Sequence, residues 1–305
     1  MEKVKRERRV MNPFLDWCFK YLFGTEENKP NLIGFLNLML MPQSPIVDVE
    51  FMNNESLPSS PEIKECVFDI VCKDQNGDRY LIEVQNGKMI EIKDRIIYYT
   101  CRLMDRMGKR GSEWNYSDIK RVYTICLMNF TFESNPKLRR DIQLYDIDDN
   151  TLFSDKINII MLQLPCLKAE SLGECKANYE LLLYLLKEMQ AGMKTIDELK
   201  QEIANTTLPQ KTKEVFYRVL DTADIGSLSE KDQMRYETAL KNYLDTMSCI
   251  EYATVKVREE GKAEGKAEGE FEAKVSIAKS MKAEGMDVAL ISRYTGLPVE
   301  QIEAL

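Results

Sequence analysis

The stretch from Val67 to Gln85, VFDIVCKDQNGDRYLIEVQ, constrains the fold more than any other part of the chain. Two apolar-rich runs flank Gln75-Asn76-Gly77-Asp78, and an Asn-Gly pair between such runs is a strong local signal for a β-hairpin. Each run carries polar groups where a hydrophobe would sit more easily: Asp69 in the first, Glu83 and Gln85 in the second. Residues i and i+2 of a strand share a face, so Glu83 and Gln85 point the same way. Asp69 lies at the end of its strand far from the turn. It meets Glu83 or Gln85 in a tight register, although spacing alone leaves the register open. Two carboxylates gathered on a sheet repel each other and resist burial. A hard cation removes that cost: Mg²⁺, with Mn²⁺ as a substitute, takes one or two carboxylates and keeps several waters. The competing reading is an ordinary polar face on an edge strand, and the local alternation leaves both open.

The flanking segments give this hairpin a setting. Asn12-Pro13 predicts the start of a helix through FLDWCFKYLFG, with Phe14, Trp17, Cys18, Tyr21 and Leu22 on one side and Gly24 as its stop. A second helix is expected over about 31–40, an alternating strand over 46–52 (IVDVEFM), and a loop over 53–62. Beyond the hairpin, 88–108 reads as a helix carrying Ile92, Ile96, Tyr99, Leu103 and Met107. RVYTICLMNF (121–130) reads as a buried strand, with further strands near 142–147 and 157–164. A hairpin followed by a helical crossover into another strand predicts an α/β fold, with a mixed sheet of α+β character and helices packed against it.

Four regions are expected: a flexible basic and acidic lead (1–10), a core (11–165), a helical bundle (166–255), and a charged helical linker with a helix-turn-helix-like tail (256–305). The linker is marked by EEGKAEGKAEGE, and the tail, helix-turn-helix in outline, reads more readily as a packing or assembly element than as a DNA reader. A homo-oligomer through this helical C-terminal half is one consequence.

Composition narrows the chemistry. The chain of 305 residues contains no histidine, which removes Ser-His-Asp and Cys-His catalysis and histidine-ligated zinc. Hydrolysis would have to rest on carboxylates, lysine, tyrosine or a carboxylate-bound metal. Eight cysteines lie scattered without metal-site spacing and read as reduced cytoplasmic thiols. No apolar run is long enough for a membrane span, and the charged N-terminus leads into no apolar segment of a secretory signal. Net charge is −8, so any nucleic-acid contact has to come from a local basic surface. One such surface lies between Asn86 and Arg121, where nine Lys or Arg stand against five acids. Arg102, Arg106, Lys109 and Arg110 gather near one helix end, suited to a phosphate backbone or to a solvated helix face.

Asp69 and, after thirteen intervening residues, Glu83-Val84-Gln85, flanked by FDI and YLIEVQ, resemble the PD-(D/E)XK nuclease superfamily. LDWCFKYLFG, NLIGFLNLML, IVDVEFMN, DRIIYYTCRLMDRMGKRG and VYTICLMNF are similar, more narrowly, to the bacterial recombination-promoting nuclease and transposase-like family. The tail EGMDVALISRYTGLPVEQIEAL resembles the ending of its long members. The resemblance implies a restriction-endonuclease-like core and a Mg²⁺-dependent DNA endonuclease linked to recombination or mobile elements. Asp69 and Glu83 would be the metal-binding acids, with Gln85 where the superfamily's lysine usually stands. Asp16 matches the acid of the opening motif, or simply pairs with Lys20 one turn on. Lys20 matches that motif's Phe-Lys pair and reaches phosphate or faces solvent. Arg95, Tyr98 and Tyr99 follow the site, with one tyrosine expected on the sheet and Arg95 toward phosphate. The rival reading is a catalytically inactive binding or assembly module of the same fold.

Overall fold

A computed structural model describes residues 9–52, 55–56, 66–67, 69–108 and 115–305. The expected loop over 53–62 falls largely outside these residues, as do most of the expected lead and both Lys109 and Arg110. Two helices come first, α1 (Asp16–Phe23) and α2 (Lys29–Leu40), then the short strand β1 (Val49–Phe51). Strands β2 (Glu55–Ser56) and β3 (Cys66–Val67) pair with each other as a separate ribbon. The hairpin consists of β4 (Ile70–Asp74) and β5 (Arg79–Gln85), after which α3 (Ile92–Asp105) crosses over to β6 (Val122–Met128). Strands β7 (Arg139–Tyr145) and β8 (Leu152–Gln163) complete a six-stranded sheet in the order β1-β4-β5-β6-β8-β7. Strands β5, β6 and β8 run parallel, while β1, β4 and β7 are antiparallel to their neighbours, so the sheet is mixed.

Local chemistry explains the hairpin. Gly77 closes it at φ +85°, a left-handed conformation that glycine adopts without a Cβ penalty. Asp74 braces the turn: its Oδ1 accepts from the amides of Asn76 (2.9 Å) and Asp78 (3.0 Å), and its Oδ2 accepts from the Tyr80 hydroxyl (3.1 Å). One face of the sheet is covered by α3. Leu103 and Met107 pack with Val71, Leu81 and Val122, and Ile92 and Ile96 pack with Cys126, Ile159 and Met161.

The first helix departs from expectation. The Asn12 side chain accepts from the Phe14 amide (2.9 Å) and its carbonyl accepts from Leu15, so Asn12-Pro13 forms a turn and the helix opens at Asp16. The buried face is consequently Cys18, Phe19, Leu22 and Phe23, while Trp17 and Tyr21 stay half-buried and stack on each other at 4.9 Å. The strand expected over 46–52 contracts to β1.

The chain continues as α4 (Asn178–Ala191), α5 (Ile196–Ala204), α6 (Gln210–Thr222) and the long α7 (Glu230–Ala283). Helices α4 and α6 pack on α2. At the α2–α6 contact a Cβ on Gly34 would stand 2.6 Å from Val215 Cγ1, so only glycine allows this approach. The chain's start is held at the same helical layer, with the Met11 amide donating to the Ala223 carbonyl (2.9 Å) and the Ile225 amide to the Arg9 carbonyl (3.1 Å). Two compact units result, residues 1–240 and 241–305. In the second, the end of α7, α8 (Val288–Thr295) and α9 (Val299–Glu303) enclose Ala278, Ile291, Leu297 and Ile302. Among the described residues no helix is long and apolar enough to cross a membrane.

Candidate active site

The β4–β5 register pairs Ile70 with Ile82, and one step further along it Asp69 faces Glu83. Asp69 Oδ2 accepts from the Val84 amide at 2.7 Å. Glu83, on a strand flanked on both sides, is only 3% exposed. Its Oε2 accepts from the Gln85 amide (3.3 Å) and lies 3.6 Å from Arg95, while Oε1 is buried with no hydrogen-bond partner among the described residues. Carboxylates so placed resist ionisation. Burial, then the charge of Asp69, push Glu83 up to about 8 against the pull of Arg95. Burial also pushes Asp69 up to about 6, opposed by the Val84 amide and Lys20 and reinforced by Asp16.

Two cations flank the pair. Lys20, on α1, lies 2.7 Å from Asp16 and 3.7 Å from Asp69. Burial pulls its pKa down, but Asp16, Asp69 and Glu83 outweigh that and hold the ammonium above its usual range. Asp16 thus pairs with Lys20 and, through its charge, raises the Asp69 carboxyl. Arg95 approaches from α3, its guanidinium 4.9 Å from the Tyr99 ring centroid. Tyr99 packs toward Val71 and Leu81, and Tyr98 is exposed.

Other foreseen residues stand apart. Arg102 and Arg106 lie toward the far end of α3, roughly 10 and 16 Å along the helix from Arg95. Arg102 pairs with Asp105 (3.7 Å), and the Arg106 carbonyl accepts from Arg79 (3.4 Å). Lys109 and Arg110 are outside the described residues. One residue was missed. The Asn86 side chain donates to the Phe14 carbonyl and ties the end of β5 to the segment leading into α1, where Asp16 and Lys20 follow. Its position directly after Gln85 was the available signal.

Among the described residues no group of three or more Cys, Asp or Glu is arranged to hold a metal unaided. Two facing carboxylates with one unpartnered oxygen nevertheless fit a hard cation that takes few protein ligands and completes its shell with water. The pair also lies on a sheet whose hairpin, helical crossover and parallel strand form the core expected of the resembled nucleases. A family model described as PD-(D/E)XK nuclease family transposase matches residues 13–253. No curated protein and no solved structure matches the chain. Because that model spans well over half of the sequence, the chain belongs to the PD-(D/E)XK nuclease family transposases.

Proposed function

We propose that this nuclease-family chain is a metal-dependent DNA endonuclease that hydrolyses phosphodiester bonds in recombination or the movement of mobile elements. Mg²⁺ is the proposed ion, with Mn²⁺ able to replace it. The observation that carries this reading is the buried Glu83 Oε1, without a hydrogen-bond partner among the described residues, beside the facing Asp69. These two carboxylates would hold the ion, which when bound supplies a more acidic water and offsets charge on phosphate oxygens. Burial raises both acids above the ordinary carboxylate range, most of all Glu83, so loading the site would release protons.

Gln85 cannot carry a lysine's charge, but its amide donates to Glu83 Oε2 and fixes that carboxylate's orientation. Positive charge comes instead from outside the strand. Lys20 stands by Asp69 and Arg95 by Glu83, and both would draw a phosphate to the acids and neutralise it. Asp16 holds Lys20, and the Tyr99 ring supports Arg95, with Tyr98 exposed next to it. Arg102 and Arg106, with Lys109 and Arg110, are proposed for phosphates further along the duplex, binding backbone rather than bases. The setting proposed is the cytoplasm, in keeping with the free state of the described cysteines, and a homo-oligomer is proposed through the helical C-terminal half.

The test is cleavage of supercoiled plasmid in Mg²⁺ or Mn²⁺. The wild type should nick it, and Glu83→Ala should be slower by roughly 100-fold or more. Equal rates would overturn the assignment, and no cleavage in either ion would return the chain to the rival binding or assembly module.

A further inference from the structure

The row of the sheet that carries Glu83 continues across three more strands. Glu83 pairs with Cys126, Cys126 with Met161, and Met161 with Arg140 on β7. Three strand spacings place Arg140 about 14 Å from Glu83. Beside it a cavity of about 600 Å³ opens between α3 and β7, floored by Ile96 and Met161 and edged by Lys93, Lys137 and Arg140.

Two acids line this cavity: Asp141 is taken up by Arg139 (2.8 Å), and Glu133 stands among the other cations. Glu133 Oε1 lies 3.0 Å from Lys93 Nζ, and Glu133 Oε2 pairs with the Arg140 guanidinium. A single carboxylate thus answers two cations. Arg140 keeps a further donor, Nε, buried with no acceptor among the described residues, although its NH2 also reaches the Asn135 carbonyl at 2.9 Å. Carboxylate and phosphate oxygens are interchangeable partners for a guanidinium fork and an ammonium.

We propose that Lys93 and Arg140, with Lys137 at the rim, form a second DNA-phosphate subsite, and that Glu133 fills it until a backbone phosphate displaces it. At 3.4 Å of rise per step, 14 Å corresponds to about four base pairs from the scissile phosphate. The subsite rests on the endonuclease reading, since it is the flank of that substrate. Glu133 acts as a built-in competitor that weakens non-productive binding and yields to a duplex also engaged at Asp69 and Glu83.

The test is binding of a short fluorescein-labelled duplex to the full chain, read by anisotropy across a salt series, with Ca²⁺ replacing Mg²⁺ so that the DNA stays uncut. Glu133→Gln should bind several-fold tighter. Lys93→Ala, at a side chain 60% exposed, should bind several-fold weaker, with a salt slope lower by about one. Arg140→Gln should behave as Lys93→Ala does. If Glu133 is only a structural brace, Glu133→Gln lowers the melting temperature without tightening binding. Unchanged affinity in either Glu133→Gln or Lys93→Ala overturns the subsite alone. A wild type that binds no DNA overturns the endonuclease reading with it.

Discussion

At the scale of single residues, the facing acids make a thermodynamic demand on the fold. Both folded-state pKa values lie above those of an unfolded chain, near 6 for Asp69 and 8 for Glu83. At pH below about 4 folded and unfolded chains both hold these protons, and the stabilisation is fully present. As pH rises, the unfolded chain ionises first while the folded one keeps its protons. Stability then falls by up to about 1.4 kcal/mol per pH unit for each such group, until the folded value is passed. The metal-free protein should therefore melt at progressively lower temperature from about pH 5 to pH 8.5. Glu83→Gln should flatten that decline, and Mn²⁺ should restore the wild type at the alkaline end. A flat wild-type profile in a metal-free calorimetric series would contradict the burial of the pair. Lys20 makes a second residue-scale prediction: Lys20→Met should leave the fold intact and slow plasmid cleavage by roughly 100-fold. The hairpin was legible from its Asn-Gly turn between apolar runs, whereas the alternation left the acid pair open and only the family resemblance favoured it. Lys20 acquires its place only through the packing of α1 against the hairpin, and spacing in the chain does not report that distance.

At the scale of elements, the hairpin and α3 formed where the Asn-Gly turn and the helical period placed them, although α3 (Ile92–Asp105) is shorter than the 88–108 expected. The register was not legible, because β4 and β5 carry apolar residues on both faces, so a one-residue slip that exchanges the faces exposes no distinct polar side to select against it. Neither was the start of α1, where an Asn side chain captured the Phe14 amide and delayed the helix to Asp16. The Arg140 cluster stayed hidden for a related reason. Its row is assembled from β5, β6, β8 and β7, which are far apart in the chain, and no local motif marks the match. The α2–α6 contact gives a test at this scale. Gly34→Ala forces a methyl toward Val215 and should cost about 1–3 kcal/mol. Thermal denaturation would read the loss, and adding Val215→Ala should recover part of it.

For the whole molecule, the long helix α7 carries Tyr243, Met247, Ile250 and Val257 at heptad spacing. Met247, Ile250 and Val257 are exposed, which supports self-association through this half of the chain. Light scattering should find an oligomer, and Met247→Glu with Ile250→Glu should shift it to monomer while leaving helical content unchanged. The helical character of this half was plain in its amphipathic segments. Its division was less so, because the boundary between the compact units falls inside one uninterrupted helix that offers no glycine or proline punctuation there.

The backbone bonds joining Arg9 and Met11 to Ala223 and Ile225 also set a clock on synthesis. The segment that precedes α1 leaves the ribosome before its partner, which is translated about two hundred residues later. At 5–20 residues per second the nascent chain waits about 10–40 s before that segment is pinned. Until then the segment leading into α1 has the Asn86 side chain at the Phe14 carbonyl to hold it, and the second tie, to Ala223 and Ile225, closes only once α6 has been made.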